Sequence, residues 1–379
     1  MKIKEYLSRL PNKFLLIYEN NKNKAVISTI LKAFSFFYSI IYKSRFKLYK
    51  LNILKIRSFD VPVISIGNIT CGGTGKTPLV IETAKYLLKE GYKVAVLSRG
   101  YNRPEKRSNE GVLLVSDGID ILSGFERSGD EPYLIAKKVP NAIVIVGKDR
   151  VQSGSVAIKM DAEILILDDG YQYIRLHRDE NILLLDSYSP FDNSYLLPRG
   201  KLRELPEAIS RSTAIVISNT DKKAISEDDI KKIKQHGNST PMIPMFYKIK
   251  DFSGLNIKVT SSISDMQKTG VIAFCGIGNP YSFFDSLKQN GVKIARSLIF
   301  PDHHNYTYDD IKEIIEISKN YKIENIITTE KDAIKVEGLC EASPLTFWTT
   351  NLEVEFGVSN PFRLMLKNKD CWNTDRRTV

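Results

Sequence analysis

Residues 61–78 read Val61-Pro62-Val63-Ile64-Ser65-Ile66-Gly67-Asn68-Ile69-Thr70-Cys71-Gly72-Gly73-Thr74-Gly75-Lys76-Thr77-Pro78. The apolar run 61–66, stopped by Gly67, has the length of a buried strand, and residues 78–89, closed by Gly91, carry apolar side chains at helical spacing. A glycine-rich turn lies between them. In that position glycines let the backbone wrap a phosphate, and the helix start aims N–H groups at the anion. Lys76 adds a point charge, and the Thr77 hydroxyl can ligate Mg²⁺. Thr70, Cys71, Gly72, Gly73, Thr74, Gly75, Lys76 and Thr77 are therefore expected to form a nucleotide-phosphate loop. The pattern departs from G-x-x-x-x-G-K-[ST] in placing Thr70 where the first glycine belongs.

The next strand falls at 93–97, which completes a β-α-β unit and predicts a largely parallel sheet with helices on both faces. Apolar runs at 142–146, 164–167, 182–185 and 214–217 continue it. Residues 241–259 read as extended segments with turns. A second α/β series follows, with strands at 270–274, 292–300 and 325–329 and helices near 280–289 and 308–320. The expected organisation is a basic segment over 1–57, a P-loop NTPase-type core over 58–259 ending in an extended linker, and a smaller α/β lobe over 260–379.

The run 164–170, Ile-Leu-Ile-Leu-Asp-Asp-Gly, ends a strand on two acids. Beside a phosphate loop, such carboxylates organise a magnesium ion and its water shell, so Asp168 and Asp169 are expected metal-organising residues. Two places could supply a base for an attacking hydroxyl: the loop Ser128-Gly129-Asp130-Glu131-Pro132, and Asp302-His303-His304 after the strand ending at Phe300. The residues alone leave both open. A third group of basic residues follows strands: Arg99, Arg175, Arg178, Arg199, Lys201 and Arg203. Guanidinium forks suit phosphate capture there, which points to a substrate bearing its own phosphate.

The net charge of +11 is not spread over the chain. Residues 1–57 hold 13 Lys and Arg against Glu5 and Glu19, leaving the remainder neutral with 42 of each sign. A folded core without excess positive charge argues against a nucleic-acid binder. Residues 25–42 are the single candidate membrane segment. As a helix they span roughly 27 Å, short of a hydrocarbon core of about 30 Å, with Lys32 near the middle. Ser28, Lys32, Ser35 and Ser39 share one stripe; Ile27, Ile30, Leu31, Phe34, Tyr38 and Ile41 lie opposite, the pattern of a helix lying in an interface. Lys43, Arg45, Lys47, Lys50, Lys55 and Arg57 follow and favour an anionic surface. A core helix capping the first domain is the alternative. Four cysteines without a C-x-x-C pair, and four histidines (His177, His236, His303, His304) without zinc spacing, predict a reducing compartment and no structural metal.

The motifs from Gly67 to Pro78, then LSRGY, SGDEP, LDDGYQ, LLPRGKLRE, FPDHH and TTEKDAIK, occur in this order over about residues 60–336. Together they resemble the tetraacyldisaccharide 4'-kinase (lipid A 4'-kinase) family of Gram-negative bacteria, whose loop also reads with threonine at the first position. The resemblance implies ATP and Mg²⁺ as cofactors. It also implies transfer to the 4'-hydroxyl of a tetraacylated glucosamine disaccharide 1-phosphate at the cytoplasmic face of the inner membrane, with an N-terminal helix on the anionic leaflet. No protein partner and no nucleic acid are inferred. By the same resemblance Asp130 is the catalytic base assisted by His303, Lys76 serves catalysis, Thr77, Asp168, Asp169 and Glu131 surround the metal, and Arg99, Arg199 and Arg203 meet the lipid substrate. A membrane-associated GTPase or ATPase switch is the rival. It would require a guanine-reading [NT]-K-x-D, which Thr329-Glu330-Lys331-Asp332 and Asn219-Thr220-Asp221-Lys222 both fail to supply.

Overall fold

The computed structural model describes residues 24–100, 111–237 and 239–367. The first 23 residues of the basic segment, Tyr101 of LSRGY and Cys371 lie outside them. In chain order the strands are β1 (Val63–Gly67), β2 (Val94–Ser98), β3 (Leu113–Asp117), β4 (Ile143–Val146), β5 (Ile164–Asp168), β6 (Glu180–Asp186), β7 (Ala214–Ser218), β8 (Met242–Gly254), β9 (Thr260–Ser261), β10 (Gly270–Cys275), β11 (Lys293–Ile299), β12 (Asn325–Thr328) and β13 (Thr346–Phe356). The helices used below are α1 (Lys24–Lys50), α2 (Lys76–Lys89), α3 (Asp130–Lys138), α4 (Arg150–Lys159), α5 (Glu227–Gly237), α6 (Pro280–Gln289), α7 (Tyr308–Tyr321) and α8 (Glu330–Cys340). The fold is α/β with largely parallel sheet, as the alternation of apolar runs and amphipathic segments requires.

The chain forms two compact units. One takes the chain up to Lys76, Ile164–Pro244 and the part from Val358 on; the other takes Thr77–Glu163 and Met245–Gly357. The stretch 58–259 thus contributes to both. In the first unit β1 lies between β5 and β6, β6 pairs with β7 and β7 with the start of β8, all parallel. These strands are buried along almost their whole length. That is why they read as unbroken Val/Ile/Leu runs without polar alternation. A core of Ile69, Tyr171, Leu183, Phe191, Leu202 and Ile215 packs on this sheet, with Tyr38 of α1 against its edge.

In the second unit β2 pairs parallel with β4, and β3 antiparallel with β4. Strands β11, β10, β12 and β13 run parallel in that spatial order, and β13 pairs antiparallel with β8. Phe274, Tyr306 and Phe347 meet edge to face within its core. The pattern reading missed the strands β3 and β13 and the helices α3, α4, α5 and α8. Strand β3 is a half-exposed strand, and the second half of β13 is polar and exposed on one side, so neither carries a continuous apolar signal. Both are strands because a neighbour satisfies their backbone.

Helix α1 runs eight residues past the expected end, through Lys43–Lys50, until Asn52 takes a left-handed backbone (φ 57°). Its faces are arranged differently from the expected wheel. Leu31, Ser35 and Tyr49 are buried, whereas Ile30, Phe34, Phe37 and Ile41 are 50, 60, 61 and 68 % exposed. Leu31 and Tyr38, read as part of the outer apolar side, turn inward with Ser35, whereas Lys32 of the expected polar stripe is exposed. No helix among the described residues is long and apolar enough to cross a membrane.

Candidate active site

In the first unit the loop after β1 is shaped by its glycines. Gly72 and Gly75 hold φ of 117° and 91°, a backbone region that side chains with a Cβ seldom enter. The Asn68 amide donates to the Thr74 hydroxyl at 3.0 Å, Gln172 donates to the Asn68 carbonyl at 2.7 Å, and the Cys71 amide donates to the Lys201 carbonyl at 2.7 Å. Lys76 opens α2, followed directly by Thr77. Its ammonium lies 3.7 Å from Asp169 Oδ1. Thr70 and Thr74 are buried and Cys71 is partly exposed; Gly72 and Gly73 face solvent.

The two acids after β5 separate. Asp168 ends the strand and is 2 % exposed. Asp169 adopts a left-handed backbone (φ 51°) and is held by Arg203, whose Nη1 donates to both carboxylate oxygens at 2.9 and 3.1 Å. Burial alone would lower the Arg203 pKa, but the Asp169 charge and the hydrogen bonds to Asp169 and Cys71 more than reverse this and raise it. Arg203 is therefore a permanent cation beside Lys76. Sequence reasoning placed it with the substrate; in the structure its guanidinium is on Asp169 and its amide on the Ile69 carbonyl, beside the loop after β1. Arg199 instead lies over the Tyr195 ring, 3.5 Å from its centroid, and Arg99 is exposed after β2. Arg178, partly buried, donates to the Tyr171 carbonyl at 3.1 Å.

The second unit brings the two alternative base sites together. Asp130 and Glu131 do not sit in a loop: they open α3, where acids at a helix start are favoured by the backbone dipole and Pro132 loses no hydrogen bond. His303 Nδ1 lies 3.1 Å from Asp130 Oδ2, and the buried Lys335 Nζ lies 2.6 Å from the same oxygen. Lys331 Nζ is 3.2 Å from His303 Nε2 and 3.8 Å from Glu131. An ammonium only donates, so Nε2 accepts and the ring proton resides on Nδ1, donated to Asp130. In that tautomer Asp130 Oδ2 accepts from both His303 and Lys335. Burial by itself would raise the Asp130 carboxyl, but the His303 hydrogen bond and the Lys335 charge outweigh it and hold the group below its usual range.

The surrounding bonds fix this cluster. The His303 amide donates to the Gly276 carbonyl at 3.0 Å, Lys335 also donates to the His304 carbonyl at 3.1 Å, and Lys138 bonds Glu330 at 2.6 Å between α3 and α8. His304 serves differently, meeting Asp310 at 3.1 Å and stacking on Phe300. Lys331 and Lys335 were not assigned roles from sequence. The available signal was their i, i+4 spacing within TTEKDAIK, which puts both ammonium groups on one face of α8.

Among the described residues no group of three or more His, Cys, Asp or Glu is placed to hold a metal ion. Glu131 is paired with Lys331, and Asp169 with Arg203 and Lys76. A magnesium ion bound mainly by phosphate oxygens and water needs only one or two protein ligands, which the Thr77 hydroxyl and the Asp168 carboxylate are chemically suited to supply.

The family described as Tetraacyldisaccharide-1-P 4'-kinase matches residues 27–369. The chain is 36% identical over 342 residues to the tetraacyldisaccharide 4'-kinase of Pelobacter propionicus, covering 90% of this chain and 92% of that one. It is 38% identical over 344 residues to the protein of the same name from Syntrophus aciditrophicus, with 88% and 91% covered. Among solved structures it is similar to LpxK from Aquifex aeolicus in complex with ATP, with a TM-score of 0.73, 32% identity, and 90% of this chain and 99% of that chain covered.

Proposed function

The chain belongs to the tetraacyldisaccharide-1-P 4'-kinase family, and on that premise we propose that the loop ending at Lys76 holds the ATP phosphates while Asp130, assisted by His303, receives the acceptor proton. It is a kinase of lipid A biosynthesis with ATP as donor and a lipid A precursor as acceptor, and the nucleotide-switch alternative is not favoured. The observation that carries the site reading is the Asp130–His303–Lys335 cluster, at the position where the first two motifs for a base were left as alternatives.

Phosphoryl transfer passes through a loose transition state in which charge gathers on the equatorial and leaving oxygens. Lys76 and the loop N–H groups are fixed donors for that charge, and Arg203 adds a neighbouring cation. Thr77 and Asp168 are the residues that would hold magnesium, whose charge would offset that of the phosphate oxygens. Because the nucleophile loses its proton late in a loose transition state, orienting the hydroxyl matters more than basicity. A carboxylate of lowered pKa such as Asp130 is adequate to that task. The His303 imidazole beside it orients the carboxylate through the contact between Nδ1 and Asp130 Oδ2. Glu131, tied to Lys331, supports this arrangement from α3. Arg99 and Arg199 remain the candidates for the substrate phosphate.

The acceptor carries acyl chains, so the enzyme works where those chains are embedded. The outward apolar face of α1 (Ile30, Phe34, Phe37, Ile41) and the exposed Lys43, Arg45, Lys47 and Lys50 suit an anionic bilayer surface, which for this substrate is the cytoplasmic leaflet of the inner membrane. Replacing Phe34, Phe37 and Ile41 by serine is expected to weaken binding to anionic vesicles by at least about tenfold. Unchanged sedimentation with vesicles removes this face from membrane docking. The kinase reading itself is tested by ATP consumption: it should require the lipid disaccharide 1-phosphate and resist competition by GTP. Equal consumption without lipid contradicts it.

A further inference from the structure

In the first unit, residues 196–204 form a strap between α1 and the phosphate loop. On the α1 side, the Ser35 hydroxyl donates to the Leu196 carbonyl at 2.7 Å and accepts from the Arg199 amide at 3.2 Å. The Tyr38 hydroxyl donates to the Arg203 carbonyl at 3.0 Å, and the Tyr42 hydroxyl donates to the Glu204 carboxylate at 2.9 Å. On the loop side, the Arg203 amide donates to the Ile69 carbonyl at 2.7 Å, the Lys201 carbonyl accepts from Cys71, and Thr70 bridges Leu202. One residue thus joins three parts: Arg203 has its amide on the loop, its carbonyl on Tyr38 and its guanidinium on Asp169.

These contacts have a form that adhesion does not require. A helix serving purely as a membrane anchor could be fastened to the protein by apolar packing, which tolerates sliding. Here the inward stripe presents hydroxyls at positions 35, 38 and 42, one per turn, each aimed at a specific strap atom. Hydrogen bonds are directional and fix register. Glu204, 1 % exposed, is further held by Arg211, whose guanidinium also reaches the Tyr42 hydroxyl at 3.3 Å and lies over the Phe46 ring. Burial, with Glu204 next in effect, pushes the Tyr42 hydroxyl up to about 12, so it remains a donor across the working range.

We propose that Ser35, Tyr38 and Tyr42 are positioning residues: α1, besides facing the bilayer, fixes the strap against the phosphate loop and so sets the affinity of that loop for ATP. The inference rests on the nucleotide reading of the loop. It makes the membrane helix part of the donor site, and the coupling is reciprocal, since whatever stabilises α1 on the strap tightens ATP and ATP in turn holds the strap.

The test uses the full chain without lipid, with Mg·ATP binding followed by calorimetry. The triple variant Ser35→Ala, Tyr38→Phe, Tyr42→Phe keeps the outer face intact. It is expected to bind ATP at least about fivefold more weakly, the lower end of ordinary coupling. Its KM for ATP should rise more than its kcat falls, and the Cys71 and Arg203 amides should exchange faster. Ser39→Ala is the control, because the Ser39 hydroxyl bonds within its own helix to the Phe36 carbonyl, and it should bind ATP as the wild type does. If the triple variant does not fold, Tyr38→Phe alone decides by the same readouts, with a smaller shift in the same direction. ATP affinity and amide exchange both equal to the wild type would overturn the proposal. A wild-type protein that binds no ATP would overturn the nucleotide reading itself, and this inference with it.

Discussion

Replacing Lys76 by alanine is expected to lower turnover by about a thousandfold, the cost of removing one fixed donor from a developing oxyanion. The ammonium opens α2 beside a loop whose glycines hold it in a conformation open to phosphate, so its loss removes charge where the transition state accumulates it. The fold should survive. Asp169, which faces Lys76 at 3.7 Å, keeps its two-oxygen contact with Arg203, and no buried carboxylate is stranded. The check is a melting temperature close to the wild type's, alongside kcat and KM for ATP. A variant with near wild-type turnover would remove Lys76 from catalysis.

The second large effect is expected at Asp130. Its replacement by asparagine should reduce kcat by between about a hundredfold and ten-thousandfold, the range of a positioned proton acceptor, with little change in KM for ATP. The sign of the pH dependence fixes the conditions. The Asp130 carboxyl is held below its ordinary value, so the stability its ion pair adds is fully present above the usual aspartate range and is lost as pH falls through the folded value. Near neutrality the wild-type cluster is intact, and a comparison there reports chemistry. If KM for ATP rises while kcat is preserved, the residue belongs to nucleotide binding and the proposed role is wrong.

The strand, glycine-rich loop and helix after residue 61 were readable because their information is local: strand, glycines, lysine and helix follow within about 30 residues, and strand and helix each have a periodicity of their own. The same holds for Asp168 and Asp169 at the end of an apolar run. The pairing of Asp130 with His303 was carried by resemblance, since the two lie 173 positions apart and no pattern in either motif points to the other. Lys331 and Lys335 stayed hidden for the same reason: a charged residue on a helix reads as solvated surface until another helix supplies a carboxylate. Helix α1 illustrates a further limit. The wheel sets Ser35 apart from Phe34 and Phe37 but puts Leu31 and Tyr38 on the wrong side, because which residues turn inward depends on the strap, whose carbonyls accept from the Ser35 and Tyr38 hydroxyls. The outward aromatic face that results is the one best suited to lipid.

The central claim is that the terminal phosphate of ATP passes to a sugar hydroxyl of an acylated disaccharide. It is tested most directly by supplying ATP labelled at the γ position together with the detergent-dispersed disaccharide 1-phosphate, and locating the label in the product. The account predicts a lipid bisphosphate carrying the label on the 4'-oxygen, absent with the Lys76→Ala protein. Label recovered as inorganic phosphate, or incorporated at any other position of the lipid, would contradict it.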